Sequence, residues 1–147
     1  MPEPVRIDAL TPLDPGPRTV VSLPMTAHDR RRVRRRLEAA DGTVLELALP
    51  TGTALAVGQV VHATATTAYV VAAADEQVIV VRPRDHAEAA RVGHLIGNLH
   101  RDLDVADDGT LIALHDAPLE ARLAAAGYDA VVAHRPFRGR APGEHAH

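Results

Sequence analysis

Apolar positions recur at short, strand-like intervals over the first half of the chain and at helical intervals in two stretches of the second half. Residues 1–18 carry five prolines and little periodicity, which predicts an extended arm with a short edge strand near Val5–Ile7. The run Arg30–Ala39 and the run Thr43–Pro50 flank Asp41-Gly42, the dipeptide that type I′ hairpin turns favour because both central residues need positive φ. Within that hairpin Val33, Leu37, Val44 and Leu49 are expected to turn inward, with the arginines mostly facing water. Pro50-Thr51-Gly52 reads as a turn, and Val57–Ala63 and Tyr69–Ala74 as two further short strands. Several short strands at close spacing over residues 19–75 predict a small all-β barrel or sandwich.

The pattern changes at Gln77–Arg82, a β-branched run that predicts a buried strand. Asp85 and Glu88 have capping-box spacing, and Ala89, Val92, Leu95 or Ile96, and Leu99 follow at helical intervals. Gly97 and Asn98 fall near the end of that helix and weaken it. Leu103–Ala106 and Thr110–His115 form strands around a second turn at Asp108-Gly109. Asp116, with Pro118 in the first turn, starts a second helix that Gly127 stops, and Ala130–His134 closes the series. The order β-α-β-β-α-β over residues 77–136 is the ferredoxin-like arrangement, with both helices on one face of a four-stranded antiparallel sheet. The other face needs cover, from the N-terminal strands or from a second subunit. The expected fold is therefore α+β: a small all-β domain at 1–75, a ferredoxin-like βαββαβ domain at 76–138, and a flexible histidine-bearing tail at 139–147.

Composition narrows the chemistry. Aromatic residues make up 2 % of the 147, so the cores must be built from Val, Leu, Ile and Ala. A net charge of −3 gives no support for nucleic-acid binding. The N-terminus is too polar for a signal peptide and no apolar run approaches a membrane span, so a soluble cytoplasmic protein is expected. Nine histidines and no cysteine exclude disulfides, thiolate metal sites and cysteine nucleophiles. Imidazole nitrogen suits borderline ions such as nickel, copper and zinc. A set of nitrogen ligands that holds an ion loosely points to carrying a metal rather than using one.

Four histidines are candidate ligands. His100 ends the first helix, where it either favours the negative end of the helix dipole or sits at a subunit contact. In the second case Gly97 and Asn98 let two backbones approach, and a twofold axis sets His100 beside its copy. His115 precedes Asp116, which serves either as its carboxylate partner or simply as a helix cap. His145 and His147, two apart near Glu144, can chelate one ion in an extended segment. His94 is six residues before His100, on the opposite helix face, and is not expected to share its metal.

Six arginines within residues 30–36 offer a rival, phosphate-binding surface. On a strand they divide between two faces, and no aromatic residue interleaves with them for base stacking. A solvated edge or a docking surface for an acidic protein fits better. No nucleophile, phosphate loop or carboxylate pair forms a catalytic constellation, so the chain is not expected to be an enzyme.

Several segments taken together resemble the urease accessory nickel metallochaperones. Arg30–Gly42 resembles the family's arginine-rich strand and Asp-Gly turn, and Val44–Gly58 its Leu-Pro-Arg-Gly…Leu-x-x-Gly-Asp segment. Ala72–Val78 is similar to the family's domain junction, and Ile96-Gly97-Asn98-Leu99-His100 to its Leu-Gly-Asn-Arg-His signature. A tail ending in histidines is also typical. The chain departs from the pattern at Leu99, Leu95, Gln59 and the segment after Phe137. The resemblance implies an N-terminal partner-docking domain and a C-terminal domain that binds metal and forms a homodimer. It implies His100 as the interfacial ligand, His115 near the second surface site, and His145 and His147 as tail ligands. The cargo would be Ni(II), with Zn(II) or Cu(II) able to bind in vitro. The partners would be the urease-maturation GTPase and the apo-urease complex, with neither nucleic acid nor membrane. The alternatives are a docking adaptor that binds no metal and, behind it, an RNA-binding module using the arginine strand.

Overall fold

The structure is a computed structural model and describes residues 3–142. The chain divides into two compact units, residues 1–73 and 74–147.

The N-terminal unit consists of two three-stranded sheets. β1 (Val5–Ile7), β4 (Val44–Ala48) and β3 (Arg34–Glu38) form one, in the order β1-β4-β3. β2 (Thr19–Met25), β6 (Thr67–Ala73) and β5 (Val60–Ala63) form the other, in the order β2-β6-β5. Their inner faces share one core, to which Ile7, Leu45 and Leu47 come from the first sheet and Leu23, Met25, Val61, Tyr69 and Val71 from the second. This is the expected small all-β packing.

Four details differ from the expectation. β2 had no predicted strand of its own. It carries Pro24 and a half-exposed Val20, both tolerable because it is an edge strand, and so it shows no clean alternation. The strand expected from Val57 begins at Val60, because Gly58 turns the chain with φ +90°. In β4 it is Leu45 and Leu47, not Val44, that face the core; in a period of two the neighbouring residue points away. The arginine run is not one strand. Asp29–Arg31 forms a 3₁₀ turn before β3 starts at Arg34. Arg30 is buried, and its Nη1 donates to the carbonyl of Met25 at 2.8 Å.

The C-terminal unit follows the order β7 (Asp75–Val81), α1 (His86–Asn98), β8 (Asp104–Val105), β9 (Leu111–Leu114), α2 (Ala117–Ala125) and β10 (Ala130–Pro136). The sheet order is β10-β7-β9-β8 with every neighbour antiparallel. That is the predicted ferredoxin-like sheet, with β8 short and at the edge. Val92 and Ile96 of α1 and Leu119 and Leu123 of α2 pack on Ile79, Val81, Leu111 and Ala113.

Both helices start as their sequences suggest. Asp85 Oδ1 accepts from the Glu88 amide at 2.7 Å, and Asp116 Oδ2 from the Leu119 amide at 3.2 Å. The capping box at α1 is only half made, since the Glu88 carboxylate pairs instead with Arg84 at 2.7 Å. Among the described residues no helix is long and apolar enough to cross a membrane.

Candidate metal centre

The two helices of the C-terminal unit end in the same hydrogen-bonded motif but with different residues in its critical place. At the end of α2 the Gly127 amide donates to Ala124 O at 3.0 Å and the Tyr128 amide to Leu123 O at 3.2 Å. At the end of α1 the His100 amide donates to Gly97 O at 2.9 Å and the Arg101 amide to Ile96 O at 3.2 Å. Both are Schellman closures, which require a left-handed residue just past the helix cap. Gly127 takes that conformation freely, at φ +78°. His100 takes it at φ +56°, and it is the one non-glycine residue with positive φ among those described. A side chain bearing a Cβ is strained there by about 1 kcal/mol or more. The chain thus keeps an imidazole where the local fold would favour glycine, and the ring stands at an exposed position.

Gly97, one turn earlier, adds to this. A glycine inside a helix is less stable than alanine by about 1 kcal/mol. Its own chain does not require it: a Cβ at Gly97 would meet nothing within 4 Å. The end of α1 therefore presents bare backbone on an open surface beside the histidine. His94 lies on the same helix, and its Nε2 is 3.1 Å from Asn98 Nδ2.

His115 follows β9, its amide donating to Gln77 O at 3.0 Å. Its Nε2 lies 2.6 Å from Glu120 Oε2 on α2. The carboxylate beside this ring is thus Glu120 and not Asp116, which caps α2 and receives Arg101 Nη2 at 3.4 Å. Through Arg101 and Asp116, the residues that immediately follow His100 and His115 are joined. Sequence reading missed this tie because the two partners are fifteen positions apart and each has a sufficient local role.

His145 and His147 lie outside the described residues. The start of their segment is described, and it is held. The Arg138 amide donates to Asp104 Oδ2 at 3.2 Å, and the Arg140 amide donates to Asp102 Oδ2. The Arg140 guanidinium also lies 3.7 Å from Asp102 Oδ1. Phe137 is fully buried and Ala141 nearly so. The segment expected to be mobile from residue 139 is thus anchored as far as 141, two residues along the chain from His100 at its Asp102 contact. Among the described residues no group of three or more His, Asp or Glu side chains is placed to hold a metal ion together.

The arginine run forms no continuous basic face. Arg30 is buried, Arg35 lies 3.6 Å from Asp29, and Arg36 lies 3.5 Å from Glu46.

Comparison with known proteins bears on what this geometry serves. The family model described as the UreE urease accessory protein N-terminal domain matches residues 5–74, and that of its C-terminal domain matches residues 76–147. The chain belongs to the UreE urease accessory protein family. It is 51 % identical over 125 residues to the urease accessory protein UreE of Deinococcus radiodurans, covering 85 % of this chain and 80 % of that one. It is likewise 51 % identical over 129 residues to the urease accessory protein UreE of a Synechococcus strain, covering 87 % and 85 %. The resemblance drawn from the Gly97-Asn98-Leu99-His100 segment and its neighbours is therefore correct. So is the expectation that the chain is not an enzyme, for the family is one of accessory proteins in urease maturation.

Proposed function

We propose that the chain is a Ni²⁺ carrier for urease maturation and acts as a homodimer in which the two His100 rings share one ion. The observation that carries this reading is the histidine at φ +56° in a glycine position, exposed beside a helical glycine that its own chain does not require. Strain retained at an exposed, metal-ligating side chain is the mark of a site kept for function rather than for folding. Gly97 leaves room for a second copy of α1 to approach, and a twofold axis at such a contact doubles each ligand. Further nitrogen comes from His145 and His147, and a second, weaker site from His115 with Glu120 orienting its ring.

The chemistry is ligand exchange. Two imidazoles leave most of the nickel coordination sphere to water and exchangeable groups, so the ion is held and then surrendered to a partner's ligands. Intrinsic affinity favours Cu²⁺ over Ni²⁺, and Zn²⁺ also binds such ligands. Selectivity in the cell then comes from metal supply and from the partners, which this reading takes to be the urease-maturation GTPase and apo-urease in the cytoplasm. The N-terminal unit, without candidate ligands, is assigned to docking them.

Titration of Ni²⁺ into the chain and into its His100→Ala variant, with native mass measurement of each, tests the reading. A carrier binds at least one ion per dimer, and the variant loses the tight site while keeping its fold. Protons compete for the imidazole nitrogens, so affinity falls from about pH 8 to about pH 5. A variant that binds as the parent does, or a parent that takes up no Ni²⁺, overturns the assignment in favour of a docking adaptor.

A further inference from the structure

Strand β10 ends the sheet order of the C-terminal unit, so one of its sides has no neighbouring strand among the described residues. It pairs with β7 over seven residues without a register shift. The Arg82 amide donates to the Asp129 carbonyl at 3.1 Å, which fixes the phase of that ladder. Backbone groups of residues 129, 131, 133 and 135 therefore turn toward β7, and those of Ala130, Val132 and His134 turn outward. Proteins ordinarily guard such an edge against foreign strands. The other described edges are guarded. β1 and β8 are three and two residues long, Pro24 interrupts β2, a register shift breaks β5, and β3 carries the exposed Arg34 and Arg36. β10 has neither a bulge nor a proline before its last residue, and its one charged residue, Arg135, is half-buried. It instead exposes Val131 and Val132, by 45 % and 39 %, one on each face of the sheet.

We propose that β10 pairs antiparallel with the β10 of a second copy, about a twofold axis at Val132, so that two four-stranded sheets join edge to edge. The strand's own sequence sets the register. With Val132 opposite its counterpart, Ala130 faces His134, and every outward residue of both copies exchanges its two hydrogen bonds. A shift by two places sets Val132 against Pro136, which has no N–H, or against Tyr128, which precedes the strand. In the same register Asp129 of one copy lies across from Arg135 of the other, and the symmetry makes this pair twice. Asp129 is exposed and makes no ion pair among the described residues. Val131 meets Ala133 of the other copy on that same face, which covers the exposed valine. This match of charge to charge favours a second copy over an arbitrary strand. The contact uses none of the residues assigned to the metal, so it stands or falls apart from the carrier reading. One edge buries less than the roughly 1,200 Å² of a stable interface, so its dissociation constant is on the order of 0.1 mM. At low micromolar concentration it is empty, and pairing at α1 is then observed by itself.

The test is sedimentation equilibrium of the full chain, without metal, from about 5 µM to about 1 mM. The average mass rises toward twice its low-concentration value. Val132→Pro removes an outward N–H, leaves the ladder to β7 intact and prevents the rise. Asp129→Arg and Arg135→Asp each weaken association about tenfold, and the two together restore it, because the charges are then exchanged across the axis. Each variant keeps the circular dichroism of the parent at low concentration. The chain contains no cysteine, so Val132→Cys gives a second readout. Its thiol stands opposite its own counterpart, and oxidised glutathione links two copies. In Ala130→Cys the counterparts lie four residues apart along the strands and do not link. A parent whose mass stays constant, a Val132→Pro chain that associates as the parent does, a charge exchange that restores nothing, or equal linking at 130 and 132 overturns the proposal. Each of these outcomes leaves Ni²⁺ binding at His100 to be decided by its own titration.

Discussion

The amide of His100 donates to the carbonyl of Gly97 at 2.9 Å, closing a turn whose geometry belongs to glycine. The same turn at the end of α2 is closed by Gly127, so the protein holds its own control for what this place in a helix ordinarily requires. Stability and the proposed ligation are therefore opposed at position 100. We predict that His100→Gly raises the stability of the C-terminal unit by about 0.5–1 kcal/mol, the backbone strain relieved exceeding the extra unfolded-state entropy of glycine. The same change abolishes the tight Ni²⁺ site. Denaturant melts followed beside metal titration check both halves. A destabilised variant would show that the histidine is held there by packing.

Gly97 separates folding from pairing. Alanine there meets nothing within 4 Å and lowers the cost of the helix, so Gly97→Ala should stabilise the isolated protomer by about 1 kcal/mol. Leucine at the same place leaves the fold intact but projects into the surface assigned to the second copy of α1. Sedimentation analysis should find Gly97→Leu monomeric and without the shared site. A dimer that still binds Ni²⁺ would move the interface elsewhere.

In the N-terminal unit the Tyr69 hydroxyl donates to Asp41 Oδ2 at 2.7 Å, and the Thr43 amide to Asp41 Oδ1 at 3.0 Å. These bonds, the tyrosine's first, hold the Asp41 carboxyl below the usual carboxylate range. Its folded value is thus lower than its unfolded one. The stability it contributes is complete above the unfolded value and disappears as pH falls through the folded one. Melts from pH 6 to about pH 3 should show an acid-side decline that is shallower in Asp41→Asn, whose side chain does not titrate. Identical slopes would remove the residue from the acid response.

Within the arginine run Arg30 is the buried member, while Arg35 is mostly covered and pairs with Asp29 at 3.6 Å. Arg30 is 4 % exposed and donates to Met25 O at 2.8 Å, whereas Arg31, Arg32 and Arg34 stand in solvent. We predict that Arg30→Ala costs about 2–3 kcal/mol through a stranded carbonyl and lost packing, while alanine at 31, 32 or 34 changes stability by no more than about 0.5 kcal/mol. Thermal melts of the four variants make the comparison. Equal effects would return the run to a uniform charged surface.

The ferredoxin-like unit was readable because its signals are local and agree with one another. Asp85 and Asp116 cap the two helices, Asp108-Gly109 makes a turn, and β-branched runs fill the central strands. β2 was not readable, because its order comes from parallel pairing with β6, more than forty residues away, and not from its own alternation. Arg30 was misplaced for a related reason: charge alone suggests exposure, and only the turn at 29–31 carries it inward. His100 could be nominated from its motif, but its backbone conformation could not, since nothing after Leu99 announces the left-handed closure that a glycine would have signalled. Asp102 and Asp104 escaped notice because their partners are 38 and 34 positions away.

The anchoring of Arg138 and Arg140 to Asp104 and Asp102 has a practical consequence for handling the protein. Anything fused after His147 extends a segment whose described start, Arg138 and Arg140, is bonded to the loop that follows His100. A polyhistidine purification handle placed there would add its own metal-binding nitrogens, and metal counts would then describe the handle. Untagged protein, or protein whose handle has been cleaved away, is the material on which stoichiometry and transfer can be measured.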